Sequence, residues 1–353
     1  MIRTLNSLRF ILILMVVVSH STLPISQVMK DYLGECPVAI FFVISGFVLA
    51  LSKGEKLQNE EVGNGKFFLS RAVKLYPLHL LLLAVTFLFD WRLGHIGTWY
   101  QTLSHAMLLQ CWIPTHQFVL AYNGVAWFIS DIIFFYLVFK YLYGWIINNS
   151  WGKILPVMSV YMAGYVLLSF KVHGDYSSGF VYFFPPFRLI DFMLGILVYK
   201  FYISQSGKAL CRRIGGLSSL NASVLAVFWV AMMVGVYTLS VHCNPNFRCA
   251  ALYWIPSVLT LYYMVSCDNG RGWLTRLLHS RLLLWGGSVS MEIFLCHLLV
   301  LRLVQSVFVR IYGEEIPCLT LQFFVALLLT LLMALGTKKY VVKPASTLLQ
   351  QWL

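Results

Sequence analysis

Long apolar runs separated by short polar stretches dominate this chain. Each run approaches the ~20 residues that an α-helix needs to cross the hydrocarbon core of a bilayer. The pattern predicts an all-α, polytopic integral membrane protein of about ten transmembrane helices, with residues 1–353 forming a single domain. The predicted spans are residues 8–23, 36–52, 68–90, 125–146, 153–170, 180–202, 220–241, 250–267, 283–311 and 318–342.

Two segments of this pattern are not assigned by apolar length alone. Residues 99–113 are shorter and more polar than a span, so we expect an interfacial or re-entrant piece rather than an eleventh helix. The first apolar run is not followed by a small-residue cleavage site. We therefore expect the first helix to be kept rather than removed as a signal peptide.

Composition and charge support a membrane location and predict an orientation. Of the 353 residues 59% are hydrophobic and 11% charged, whereas soluble domains contain about 25% charged residues. If the N-terminus is cytoplasmic, few basic residues fall in the outer loops, so the positive-inside rule predicts both termini in the cytoplasm. The net charge of +13 then indicates membrane lipids rather than nucleic acid as a partner. The basic residues of the outer loops are Lys30, Arg92, Lys171, Arg248 and Arg310.

Ionisable residues inside the predicted spans are the candidates for chemistry. Such groups are costly at membrane depth and commonly belong to functional sites. They fit an enzyme, but they also fit a proton-coupled secondary transporter, although the two five-helix halves show no convincing internal repeat. These residues are His20, Asp131, Arg188, Asp191, Glu292, His297 and Arg302.

The first helix contains a basic residue near each end. At ~1.5 Å per residue, Arg9 and His20 lie ~16 Å apart along it. Asp131 is about seven residues below the outer end of its helix, a depth similar to that of His20. A carboxylate beside an imidazole fixes the tautomer and makes the other ring nitrogen a better base. Asp131 is therefore a candidate partner of His20, with a polar clamp between helices as the alternative.

Two further sets of polar residues lie in later spans. Arg188 and Asp191 are three residues apart, so they either neutralise one another or present the guanidinium to a substrate. Glu292 and His297 are five residues apart and point to different faces of one helix, so they do not form a ready-made pair.

A basic edge precedes the third predicted span. Arg71 and Lys74 are three residues apart and lie just before Tyr76, which is followed by proline. Such an edge orients the next helix as a cytoplasmic anchor, or it binds phosphate together with free backbone N–H groups. Ser45, beside Gly46 in the second span, forms a small-residue notch that serves helix packing or lines a channel.

The eight cysteines do not show metal-binding spacing, and we expect no metal. Cys243 and Cys249 both fall in one short predicted outer loop. A disulfide between them is plausible there, because that side of the membrane is oxidising.

Five segments in register resemble the membrane acyltransferase-3 family, from end to end of the chain. They are the R-x10-H spacing of Arg9 and His20, FFVISGF, SRAVKLYP, WFISDIIFFY and GGSVSMEIFLCHLLVL. The resemblance implies transfer of an acyl group, usually acetyl from acetyl-CoA, to a hydroxyl of a cell-surface or lipid-linked glycan. A non-glycan small-molecule acceptor is the alternative. It also implies a bacterial cytoplasmic (inner) membrane, and we expect a stand-alone transmembrane form without an appended esterase-like domain.

The resemblance also assigns roles to residues. Arg9 and His20 match the essential pair of the first helix, and Asp131 takes a position that is usually glutamate, which makes these three the expected catalytic residues. Arg71 and Lys74 match the stretch that holds the acyl donor, with Ser45 and Tyr76 beside it. Arg188, Glu292 and His297 are the expected substrate-binding residues. His20 is expected to act as general base or to accept the acetyl group transiently.

Overall fold

The structure is a computed structural model that describes residues 2–95, 97–173, 179–313 and 317–352. Its regular elements are helices, in agreement with the predicted all-α fold. The helices are α1 (Arg3–Ser19), α2 (Gln27–Leu49), α3 (Asn64–Ala72), α4 (Tyr76–Arg92), α5 (Trp99–Ala106), α6 (Trp127–Asn148), α7 (Trp151–Lys171), α8 (Pro185–Ile203), α9 (Gln205–Gly215), α10 (Ser219–His242), α11 (Trp254–Ser266), α12 (Trp273–Leu278), α13 (Arg281–Ser288), α14 (Ser290–Tyr312), α15 (Leu319–Thr337) and α16 (Lys343–Trp352). Shorter helical turns connect several of them.

The number of spanning helices is smaller than the sequence pattern predicted. Within the described ranges, six helices are long and apolar enough to cross a bilayer, or seven if the bent pair α3 and α4 forms one span. Each of the ten predicted spans contains helix, but α1 has only 17 residues, α8 contains three charged residues and α11 has only 13 residues. The structure therefore supports a polytopic membrane protein without confirming ten spans or the orientation of the termini.

Helices α7, α10 and α15 form an apolar periphery. Large apolar side chains on them are exposed, among them Val160 at 74%, Phe228 at 67% and Phe324 at 60%. A soluble protein rarely exposes apolar surface on this scale. These faces suit contact with lipid, so the protein is an integral membrane protein.

Helix α2 lies at the centre and packs most extensively on α8. The contact is backbone to backbone, because a Cβ atom on Gly46 would lie 2.0 Å from the Phe192 carbonyl oxygen, and one on Gly195 would lie 2.0 Å from the Val43 carbonyl oxygen. Small residues allow such an approach between membrane helices. The notch at Gly46 thus serves helix packing, which is one of the two roles predicted for it.

The segment that was expected to be interfacial or re-entrant folds back along α4. The Tyr76 hydroxyl, in the first turn of α4, donates to the Ala106 carbonyl oxygen at 2.7 Å. The chain then returns, and the Tyr122 ring lies 6.0 Å from that of Phe87 in the last part of α4. The segment therefore reaches the start of α4, and the chain after it returns along the same helix.

Two details of the predicted outer loops can be compared with the structure. Cys243 and Cys249 are free thiols, and the Cys249 thiol donates to the Asn246 carbonyl oxygen at 3.1 Å. The expected disulfide is therefore absent from this structure. Residues 174–178 of the predicted outer loop 171–179 lie outside the described residues.

Candidate active site

Two cavities lie at opposite halves of the same three helices. The first, of about 660 Å³, is lined by residues 9, 41, 45, 290, 291, 292 and 294 of α1, α2 and α14. The second, of about 600 Å³, is lined by residues 16, 19 and 20 at the end of α1, by residues 27, 30, 31, 34, 35 and 38 of α2, and by residues 294, 298 and 302 of α14. We name them the basic cavity and the histidine cavity, after the side chains described below.

The basic cavity is lined by cations from three parts of the chain. Among the described residues that line it, five are lysine or arginine and one, Glu292, is acidic. The cations are Arg9, Arg71, Lys74, Lys338 and Lys343. Such an excess of positive charge suits an anionic ligand, and phosphate in particular, which arginine binds with two parallel hydrogen bonds.

Five of the residues predicted from the sequence meet in the basic cavity, among them Glu292, which was expected to bind substrate. Arg9, Arg71 and Lys74 line it together with Ser45, whose hydroxyl donates to the Phe41 carbonyl oxygen at 2.7 Å. Tyr136 also lines it, within electrostatic range of both arginines. The two predicted clusters, one on the first helix and one before α4, thus form a single site.

The C-terminal segment completes the basic cavity, and sequence reasoning missed it. Lys338, Lys343, Ser346 and Thr347 line the cavity, and the Lys338 ammonium donates to the Ser288 carbonyl oxygen. The available signal was the lysine cluster of residues 338–343 just after the last apolar run, which is also the usual pattern of a cytoplasmic anchor.

Tyr76 does not line the basic cavity, in contrast to its predicted place beside the acyl donor. Its hydroxyl is bonded to Ala106. In the next helical turn the His79 Nε2–H donates to the His105 carbonyl oxygen at 2.8 Å. Both residues therefore hold the segment around Ala106 against α4.

The histidine cavity contains His20, the residue just after α1. His20 is exposed to this cavity, and its Nδ1 atom lies 2.9 Å from the Val16 carbonyl oxygen. A carbonyl can only accept, so Nδ1 is the protonated nitrogen of this ring. The Nε2 atom then has the free lone pair, which is the state that a general base or a nucleophile needs.

A second histidine stands where a carboxylate was expected. The His297 Nδ1–H donates to the Phe294 carbonyl oxygen at 2.6 Å, which leaves the His297 Nε2 atom as an acceptor. That atom lies 3.4 Å from the His20 Nδ1 atom. His297 is completely buried, so its ring is fixed. The chain of contacts therefore orients the His20 ring without an acidic residue.

Asp131 lies elsewhere, and its predicted pairing with His20 is not found. Asp131 is completely buried and does not line the histidine cavity. Its charged neighbours are Arg188 and Asp191, and the Cys111 thiol lies beside it. Depth along the helix was predicted from the sequence, but the rotation of α6 directs the carboxylate away from α1.

Arg188 belongs to the same buried cluster. Its guanidinium lies 3.1 Å from the Asp191 carboxylate and 5.2 Å from the ring centroids of both Phe42 and Tyr182. The side chain is completely buried and lines neither cavity. Of the two predicted roles for Arg188, the structure therefore fits mutual neutralisation with Asp191.

Acidic side chains that the sequence analysis did not select also line the histidine cavity. Asp31 and Glu35 both accept hydrogen bonds from Arg248, at 2.6 and 3.0 Å. Trp127 adds an aromatic face to the same cavity. Carboxylates accept hydrogen bonds from hydroxyl groups, so this wall suits a polyhydroxylated ligand.

Within the described part of the chain, one residue lines both cavities. Phe294 in α14 contributes to the basic cavity and to the histidine cavity. Glu292 precedes it on the basic side and His297 follows it on the other. The two cavities therefore meet at a single aromatic side chain.

Comparison with known proteins agrees with this arrangement. The family model of acyltransferase-3, described as an acyltransferase domain, matches residues 2–337. The chain belongs to the acyltransferase-3 family. This membership favours an acyltransferase over the transporter that the sequence alone left open.

Two relatives indicate how far the similarity extends. Acyltransferase MdmB of Streptomyces mycarofaciens is 26% identical over 292 residues, covering 76% of this chain and 69% of the relative. A Staphylococcus aureus protein, provisionally named an O-acetyltransferase, is 21% identical over 376 positions, covering 96% of this chain and 56% of the relative. The chain thus spans about half the length of the staphylococcal protein. No solved structure matches this chain.

Proposed function

We propose that this acyltransferase moves an acetyl group from acetyl-CoA in the basic cavity to a hydroxyl of a cell-surface or lipid-linked glycan in the histidine cavity. The observation that supports this most directly is the position of the two cavities on α1, with Arg9 lining one and His20 lining the other. The relatives' names agree with acyl and O-acetyl transfer.

The donor half of the proposal rests on charge. Coenzyme A has a 3′-phosphate and a pyrophosphate, and these groups are assigned to the cations of the basic cavity. Arg71 and Lys74 are the first ligands, while Arg9, deeper along α1, stabilises the charge that develops nearer the thioester. In the positive-inside orientation this cavity opens to the cytoplasm of a bacterial cell, where acetyl-CoA is made.

The acceptor half rests on His20. The acceptor hydroxyl oxygen attacks the thioester carbonyl carbon, forming the ester C–O bond and breaking the C–S bond. His20 Nε2 takes the hydroxyl proton and returns it to the departing thiolate, so that CoA leaves as the thiol. Asp31 and Glu35 bind neighbouring hydroxyl groups of the acceptor. In the alternative route, Nε2 attacks the thioester carbonyl carbon and the C–S bond breaks, so that CoA leaves as the thiolate. The acceptor hydroxyl then attacks the acetyl-histidine, which forms the ester and frees His20, and the hydroxyl proton passes to the thiolate.

The test uses membranes that contain the wild-type protein or a His20→Ala variant, incubated with acetyl-CoA labelled in the acetyl group. We expect base-labile label in the glycan and lipid fraction of the wild type alone, because mild alkali cleaves an ester but not an amide. Equal labelling in both samples would remove His20 from the reaction. Label that stays on the protein when acceptor is absent would indicate the acetyl-histidine route.

A further inference from the structure

We propose that Phe294 is the barrier between the donor and acceptor cavities and that its side chain limits the length of the acyl group that crosses. The inference rests on the proposed function, and it adds a specificity residue to it. Phe294 is 4% exposed and lines both cavities.

The surroundings of Phe294 make the barrier narrow and apolar. Its ring lies 5.0 Å from that of Phe128, which lines the basic cavity. The Phe128 ring is in turn stacked on Phe42 at 4.7 Å. On the other side, the Phe294 ring lies 5.9 Å from the ring of His297. A thioester that moves from the cations toward His20 must pass this aromatic layer.

The barrier has two consequences for the chemistry. It prevents water in the histidine cavity from reaching the thioester in the basic cavity. Hydrolysis of the donor in the absence of acceptor is therefore slow. It also offers little room for an acyl chain, and each additional methylene that must displace the ring costs free energy. Acetyl is the smallest such chain, so the wild type should favour acetyl over butyryl donors.

The backbone of Phe294 has a separate task. Its carbonyl oxygen accepts the His297 Nδ1–H, and this contact is independent of the side chain. Replacing the ring with a smaller side chain therefore opens the barrier while the hydrogen bond from His297 to the Phe294 carbonyl oxygen is kept. This separation allows the barrier to be tested without removing the catalytic group.

The experiment compares wild type with Phe294→Ala, Phe294→Met and Phe294→Trp in purified, lipid-reconstituted protein. Acetyl-CoA, propionyl-CoA and butyryl-CoA are supplied with and without a membrane glycan extract. For Phe294→Ala we expect the butyryl-to-acetyl rate ratio to rise at least ~10-fold and hydrolysis without acceptor to rise several-fold. Phe294→Trp should slow transfer while keeping acetyl-CoA binding. Leu299→Ala is the matched control, because Leu299 is buried in the same helix and lines neither cavity.

The outcomes separate the barrier from the proposed function. If the wild type transfers acetyl and the Phe294 variants keep its donor ratio and hydrolysis rate, the barrier is wrong and the proposed function stands. If the wild type neither binds nor consumes acetyl-CoA, both are wrong. Should Phe294→Ala fail to fold, Phe294→Met, which keeps the volume but not the rigid ring, must still raise the butyryl ratio.

Discussion

The Nε2 atom of His297 lies 3.4 Å from the Nδ1 atom of His20, across 277 positions of sequence. The imidazole contact has the geometric role that a carboxylate has in a hydrolase triad, namely to accept a hydrogen bond from the N–H of one ring nitrogen so that the other keeps its lone pair. A neutral acceptor suits this position, since an unpaired buried carboxylate would be costly.

This relationship predicts a graded effect of substitutions. His20→Ala should reduce transfer on the order of 10²- to 10⁴-fold, because the general base is lost. His297→Ala should reduce kcat by less, roughly 10- to 100-fold, because the His20 ring loses its orientation but can still act as a base. Acetyl-CoA binding should persist in both variants, since the cations lie in the other cavity. Initial rates and donor binding measured by calorimetry check this, and wild-type kcat in His297→Ala would exclude the histidine contact.

Asp131 gives the complementary prediction. Because Asp131 is buried beside Arg188 rather than His20, Asp131→Asn should lower thermal stability in detergent while the folded protein keeps the pH dependence of transfer. His297→Gln is the comparison variant, and its pH profile should shift. A pH profile that changes in Asp131→Asn and not in His297→Gln would contradict this assignment and support Asp131 as the partner of His20.

Donor binding should depend on the C-terminal lysines as well as on the predicted basic edge. Removing one charge-assisted contact to phosphate costs roughly 1.5–3 kcal/mol, or about 10- to 100-fold in affinity. We expect this loss for Arg71→Ala, Lys74→Ala and Lys343→Ala in calorimetric titration with acetyl-CoA. Lys208→Ala is the control, because it is an exposed lysine that does not line the basic cavity. Unchanged affinity for acetyl-CoA in all three variants would show that these residues do not bind the donor and that the basic edge is a membrane anchor.

The contact between α2 and α8 predicts opposite effects of two identical substitutions. Gly46→Ala should destabilise the protein by about 1–3 kcal/mol or more, because the new Cβ atom would overlap the Phe192 carbonyl oxygen. Gly144→Ala has nothing within 4 Å of its Cβ position and should be neutral or stabilising by up to about 1 kcal/mol. Thermal unfolding in detergent measures both. Equal loss of stability would contradict the close approach.

Cysteine reactivity checks both the free thiols and the orientation. In intact cells a membrane-impermeant maleimide should label Cys243 but not the buried Cys249, which should react only after denaturation. Cysteines introduced at positions 53 and 208 should be labelled only after the membrane is opened. A Cys243–Cys249 bridge found by non-reducing mass spectrometry would contradict the free thiols. Labelling of position 208 from outside would contradict the predicted orientation.

Local sequence determined the features that depend on one helix at a time. Apolar length and charge distribution predicted an all-α membrane protein, and helical rise placed Arg9 and His20 at opposite ends of one helix. The structure confirms that separation, since the two side chains line different cavities. The motifs around them also predicted the family, because residue types at fixed spacing are preserved in the sequence itself.

Tertiary packing decided which residues meet. Asp131 was the candidate partner of His20 by depth, but hydropathy does not encode the rotation of a helix that is apolar on most of its faces. The contact of His20 with His297 instead followed from how α6 and α14 pack. The Lys338 and Lys343 side chains reach the basic cavity only because the C-terminal segment packs on α13, through Lys338 and Ser288. Phe294 became a barrier for the same reason: a single aromatic residue separates two cavities only when several helices converge around it.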